Sequence, residues 1–289
     1  FFFECLFFSG FECRMEGILT KQLEHGHGDW VIAITTWSLW FVTASFDGTA
    51  RVWDENDALK AELTGHKAGI TCLLVHNNML YTGSDDFTIR LWDNSPAFVC
   101  SFEGHEDSVY NLTVWQSQVT SCSKDGTIKV WNEKGNATKT LKPSDTPIYC
   151  LVVKDQMLYC GAYDGSIFVY DTSGSMVKQM KGHDGVVFSL CVHGDLLLSG
   201  AGDKTIRMWD RNYNEKGQMA GHAGVVSALV SHEGMVFSAS YDKTIRMWAP
   251  SGEFKKELTP GHDNLVLSLA VNRGRLISGS ADSTLRVWG

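Results

Sequence analysis

The chain has 289 residues, and several features that would point to chemistry at one place are missing from it. Lys and Arg number 25 against 33 Asp and Glu, a net charge of −8 with a pI near 5.7. That balance argues against a protein held to nucleic acid by phosphate neutralisation, which needs clustered Lys and Arg. The eight cysteines contain no C-x-x-C pair and no ligand-like cluster. Most of them (Cys72, Cys122, Cys150, Cys160, Cys191) stand at small strand positions, as free thiols acting as small hydrophobes, which favours a reducing compartment. Cys5 and Cys13 have the first interval of a zinc finger, but the remaining ligands do not follow, so no metal is expected. No G-x-G-x-x-G, Walker loop, H-E-x-x-H or G-x-S-x-G motif is present, and neither a cofactor nor a small-molecule substrate is expected. The one strongly apolar stretch, residues 1–14 with six phenylalanines among the first eleven, is too short to span a bilayer and has no basic segment before it. It is an apolar segment of uncertain status. A start at Met15, a fragment of a longer chain and a truncated signal sequence are the readings it leaves open. The glycosylation-like triplets at Asn111 and Asn136 are short enough to arise by chance.

Against these absences stands a repeat. Seven times, at intervals of 39, 39, 39, 39, 39 and 40 residues, an aspartate lies six positions before an aromatic residue: Asp47/Trp53, Asp86/Trp92, Asp125/Trp131, Asp164/Tyr170, Asp203/Trp209, Asp242/Trp248 and Asp282/Trp288. Twenty residues ahead of six of these aspartates stands a Gly-His pair, ending in His27, His66, His105, His183, His222 and His262; the fourth repeat has Ser144 instead. Between the marks each repeat runs like Ile70–Val75, a polar turn and Met79–Ser84, the period-2 pattern of two strands joined by a hairpin. A third strand, as in Thr88–Trp92, follows the aspartate, and a more polar fourth strand, as in Leu59–Leu63, precedes the next Gly-His. A period near forty with four short strands and no helical stretch predicts an all-β chain in which each repeat is one propeller blade. Residues 15–289 then form one seven-bladed propeller, because single blades cannot bury their own faces.

The Gly-His pair, the hairpin aspartate and the Trp-Asp dipeptides at Trp53-Asp54, Trp92-Asp93 and Trp209-Asp210 resemble the WD-repeat (beta-transducin-like) family from about Lys21 to Gly289. The resemblance implies that His, Ser/Thr, Asp and Trp form a hydrogen-bonded tetrad in each blade. The hydroxyls are Thr43, Thr82, Ser121, Ser199, Ser238 and Ser278, with Cys160 in the fourth repeat. The indoles are those of Trp53, Trp92, Trp131, Trp209, Trp248 and Trp288. The same residues invite confusion with a hydrolase triad, but catalysis needs one such site and a fold needs one per blade. The tetrads are therefore expected to be structural and the chain non-catalytic. The fourth repeat has lost histidine, hydroxyl and tryptophan together, and Pro143 and Pro147 stand in its loop. Asp164 should be more solvated than its counterparts, and this blade should be the most mobile.

The chain stops after the third strand of its last repeat, while Gly17–Glu24 reads as a fourth strand without a blade. Pairing the two pieces closes the ring and removes open edges, so deleting residues 15–25 should destabilise the whole domain. Lys or Arg recurs four residues after the aspartate (Arg51, Arg90, Lys129, Arg207, Arg246, Arg286), one per blade, as expected of structural or solvated charges rather than a binding site.

Partner contacts are expected on loops held by the scaffold. The residue before each aspartate (Phe46, Asp85, Lys124, Tyr163, Gly202, Tyr241, Ala281) should point from the loop face. The residue five past each Gly-His (Ile32, Thr71, Tyr110, Tyr149, Phe188, Ser227, Leu267) should lie near the channel mouth. Tyr110, Tyr149, Phe188 and Tyr163 would make a contiguous aromatic patch, with Trp30 and Tyr241 elsewhere on the rim. Trp37 and Trp115, at first hairpin turns, offer a second surface on the opposite face. The expected function is a monomeric protein-interaction scaffold or adaptor that docks a peptide or protein, as the resemblance implies, in the cytoplasm or the nucleus, without membrane and with nucleic acid disfavoured. The alternative is a target-recognition module of a larger enzyme such as a ubiquitin ligase or a kinase.

Overall fold

The computed structural model describes residues 17–23 and 27–289; the segment 1–14, Met15, Glu24 and Gly26 lie outside the described residues. The repeats fold as read. Blade two consists of strands Ile70–His76, Met79–Ser84, Ile89–Trp92 and Phe98–Phe102, paired in that order from the channel outward, and every other blade follows the same antiparallel plan. Neighbouring inner strands pack against one another around the ring, and no helix occurs among the described residues.

The hydrophobic cores lie between the blades. Val42, Ala44, Ala50 and Val52 of the first blade pack on Ile70, Leu80 and Trp92 of the second, and an equivalent cluster fills every other seam. The second strand of each blade is therefore buried on both faces from its second residue on, since a blade lies against each side of it. A blade alone would leave both faces wet, which is why the ring forms as a unit.

The seventh blade takes its outer strand from the start of the chain. Leu19–Leu23 pairs antiparallel with Leu285–Trp288, in the register Leu23↔Leu285 and Lys21↔Val287, and Ile18 and Gly289 exchange two backbone hydrogen bonds of 3.0 Å. Leu23 completes the core between the last and first blades with Phe41, Trp53 and Ile277. Below this seam Asp57 accepts from Arg275 at 3.1 Å and Lys21 at 3.3 Å, so one carboxylate ties the first blade, the last blade and the closing strand together.

Candidate functional site

Each of the six intact blades contains the same relay. Histidine Nδ1 lies 2.7–3.0 Å from the aspartate, Nε2 lies 2.7–2.8 Å from the Ser or Thr hydroxyl, and the indole N–H donates to that hydroxyl over 2.8–3.0 Å. The sixth blade shows how the members enclose one another. Trp248 donates its indole N–H to Ser238 at 2.8 Å and meets the His222 ring edge-on, with centroids 6.2 Å apart. On its outer side Phe254 of the fourth strand covers Trp248 at 5.7 Å, so the indole is buried although Ala249 replaces the usual following aspartate.

The partners set the proton positions. A carboxylate accepts a hydrogen bond from Nδ1–H, so Nε2 of the neutral ring accepts from the hydroxyl, whose oxygen in turn accepts the indole N–H. Burial alone would raise the carboxyls of Asp86, Asp125, Asp242 and Asp282. Hydrogen bonds from the histidine, the following threonine and the backbone outweigh it and hold them well below the usual carboxylate range. Burial lowers His27 and His183 below ordinary histidine despite their aspartates, which keeps these two rings neutral. The hydroxyls are fully buried and already bonded on both sides, so no substrate carbonyl reaches them.

Two members of the relay escaped the sequence reading. The threonine two residues after each intact aspartate (Thr49, Thr88, Thr127, Thr205, Thr244, Thr284) donates its hydroxyl to the second carboxylate oxygen at 2.6–2.7 Å. A serine two residues before the aspartate, such as Ser84 or Ser123, accepts the aspartate's own N–H at 3.0 Å. Both recur at the repeat period and were visible as such, the serine in every intact blade but the fifth, where Ala201 takes its place. The recurrent Arg has a local role as well: Gly65 and Gly221 take φ of 131° and 148°, and a Cβ there would lie 2.3 and 2.5 Å from a guanidinium nitrogen of Arg90 and Arg246. In these two blades the glycine of Gly-His is thus required by backbone conformation and by the side chain lying over it.

In the fourth blade Asp164 is exposed and, among the described residues, accepts only from the backbone N–H and hydroxyl of Ser166, at 3.0 and 3.1 Å, while Ser144 turns to Thr146. Cys160, Phe168 and Tyr170 are all buried.

On the loop face, the seven residues five past each Gly-His position line a cavity of about 500 Å³ at the channel mouth. Tyr110 stacks on Tyr149 with centroids 4.7 Å apart, Phe188 meets Tyr149 edge-on at 5.2 Å, and Tyr163 lies 6.4 Å from Tyr149. Tyr241, expected elsewhere on the rim, is 6.2 Å from Phe188 and extends the same arc, because its blade adjoins that of Phe188. Burial, followed by the neighbouring phenol and carboxylate charges, raises the Tyr110 hydroxyl. Trp30 and Phe46, 5.6 Å apart, form a separate pair on the first blade. Tyr163 is 54% exposed; Lys124 is exposed and 3.4 Å from Asp107; Asp85 is half-buried at the cavity wall. Ala281 departs from the expectation that it points outward: it is buried at 7% exposure, its N–H bonded to Leu265.

The opposite face corrects another expectation. Trp37 and Trp115 form no second surface, for each is 1% exposed. Their indoles donate to Asn78 and Gln156 carbonyls at 3.1 and 2.9 Å, in the hairpin turn of the next blade, and so bury themselves across the seam. Among the described residues no group of three or more His, Cys, Asp or Glu side chains is placed to hold a metal ion, and no helix is long and apolar enough to cross a membrane.

Comparison with known proteins agrees with this geometry. The family model described as WD domain, G-beta repeat, matches residues 18–54, 58–93, 97–132 and 252–289, and one described as IP5P C-F beta-propeller matches residues 135–248. Over 67 residues the chain is 40% identical to the pre-mRNA-splicing factor PRP46 of Candida albicans, a stretch that is 22% of this chain and 17% of that protein. The match therefore spans only a small part of that relative. Since the repeat model alone covers just over half of the residues, and the blades it leaves out share the four-stranded plan, the chain belongs to the WD-repeat family.

Proposed function

We propose that this propeller is a non-catalytic, monomeric scaffold that docks a peptide or protein on its loop face. Tyr110, Tyr149, Phe188, Tyr163 and Tyr241 form the centre of the contact, and Phe46, Trp30, Asp85 and Lys124 its rim. The observation that carries the reading is the unbroken arc of rings from Tyr110 to Tyr241 at the channel mouth. Rigid aromatic side chains contribute large contact area at little entropic cost, and binding hot spots concentrate in such clusters. A net charge of −8 supports protein over nucleic acid as the partner class. The stretch similar to a pre-mRNA-splicing factor favours the nuclear side of the cytoplasm-or-nucleus expectation.

The test is affinity capture from native extract with wild type and a Tyr110→Ala, Tyr149→Ala, Phe188→Ala triple variant. Loss of the captured proteins by a folded variant is the expected result. An unchanged captured set removes the arc from the docking surface.

A further inference from the structure

The cavity at the channel mouth has an asymmetry of charge. Six aromatic rings line it (Trp30, Phe46, Tyr110, Tyr149, Phe188 and Tyr241), and among its lining residues Asp85 alone is charged. The Asp85 carboxylate has no hydrogen-bond or ion-pair partner among the described residues. Lys124, which lies before the aspartate of the next blade, pairs with Asp107 at 3.4 Å. Filling the cavity with an apolar group would strip water from the carboxylate without replacing it, and an anionic group would meet repulsion. A cationic head on an apolar stem satisfies both walls at once, through charge pairing with the carboxylate and attraction to the negative faces of the rings.

Building on the docking function proposed above, we infer that the channel mouth receives a lysine or arginine side chain of the docked peptide, with Asp85 as its counter-ion and the aromatic arc around its stem. The acidic balance of the whole chain favours approach of a basic partner, and Asp85 is the charge that the cavity offers it. Specificity then resides in a single position of the partner segment, since one carboxylate serves one cation.

The probe is an immobilised library of ten-residue peptides randomised at every position, screened with the intact chain and followed by titration of the selected peptides. The expected result is enrichment of Lys or Arg at one position. Exchange of that residue for neutral norleucine or citrulline should weaken binding about tenfold or more. Asp85→Asn should weaken the basic peptide about tenfold and leave its neutral counterpart unchanged, a coupling that a loss of packing does not mimic. An unaltered thermal unfolding curve verifies that Asp85→Asn is folded. Equal affinities of basic and neutral peptides, or equal losses for both on Asp85→Asn, overturn the inference. In that case, if binding still disappears in the triple aromatic variant, the docking face stands without its cation. A screen yielding no peptide that depends on the arc overturns both.

Discussion

Six blades hold their loops with a buried hydrogen-bonded relay, and the fourth replaces it with apolar contact. In the six, the relay hydroxyl sits opposite the recurrent Lys or Arg, as in Ser121↔Lys129 and Ser199↔Arg207; in the fourth the same register pairs Cys160 with Phe168. Phe168 is buried, whereas its cationic counterparts in all but the seventh blade are only half-buried. Where Gly65 lies under Arg90, the fourth repeat has neither glycine nor arginine but Pro143 and Phe168. The substitution is therefore of a whole set. A surviving tryptophan N–H or histidine would be a buried polar group without a partner, so the members are lost together, and the apolar replacement closes over the space.

The largest expected difference between the two kinds of blade lies at the aspartate. Asp125→Ala strips His105, Thr127 and the Glu106 amide of their acceptor, and should cost about 3 kcal/mol in urea unfolding. Asp164→Ala removes only a local turn and should cost under about 1 kcal/mol; equal costs would break the comparison. Next come reciprocal exchanges. Ser121→Cys weakens the acceptor for Trp131 and the donor to His105, and Cys160→Ser buries a hydroxyl against Phe168 and Tyr170. Each should lose about 1–2 kcal/mol, and a gain on Cys160→Ser would mean that the fourth blade still holds an unused relay.

Acid should sharpen the contrast further. The relay aspartates have depressed folded values, so their stabilisation is present above the ordinary carboxyl value of 3.8 and is lost as pH falls below it. His27 and His183 are likewise lowered, and their contribution declines as pH falls from 6.5 toward their folded values. Unfolding free energy measured by urea should therefore fall in two stages on acidification. A flat profile from pH 6.5 to 5 would remove the histidine stage. The smallest effect is kinetic: at neutral pH, amides of the 142–147 loop and the 164–166 turn should exchange faster than their equivalents in other blades, for lack of the tether. Uniform protection by hydrogen exchange around the ring would contradict it.

Much of the architecture was legible because the repeat is redundant. Seven copies made the strand positions readable to within a residue, as Leu59–Leu63 and Met79–Ser84 show, and the unpaired Gly17–Glu24 segment matched the last blade's missing strand. The relay residues recur at the same period, and the family resemblance implied their bonding, down to Trp248 on Ser238 in a blade where Trp-Ala stands in place of Trp-Asp. Its threonine and serine members obey that period too, but hydroxyl residues beside a turn aspartate are common in any hairpin and do not by themselves mark a buried network. Trp37 and Trp115 were misplaced for a different reason. Their position at hairpin turns suggests exposure, and only the turn of the following blade, 41 residues away, supplies the carbonyl that draws each indole inward.

The amino-acid sequence by itself determined the number of blades, the order of strands within them, the closure of the ring and the identity of the blade that differs. The first two repeat along the chain and rest on local alternation and fixed spacing, and the last two were read as departures from that repeat. The tertiary structure alone decided which varied residues meet. Tyr110, Tyr149, Phe188 and Tyr241 are each about 39 residues from the next or farther, and Asp85 lies on yet another blade; nothing local links them. Closing the ring turns those separations into ring contacts of 4.7 to 6.2 Å, because blades three to five deliver one register position to the channel mouth and the sixth reaches it with the residue before its aspartate.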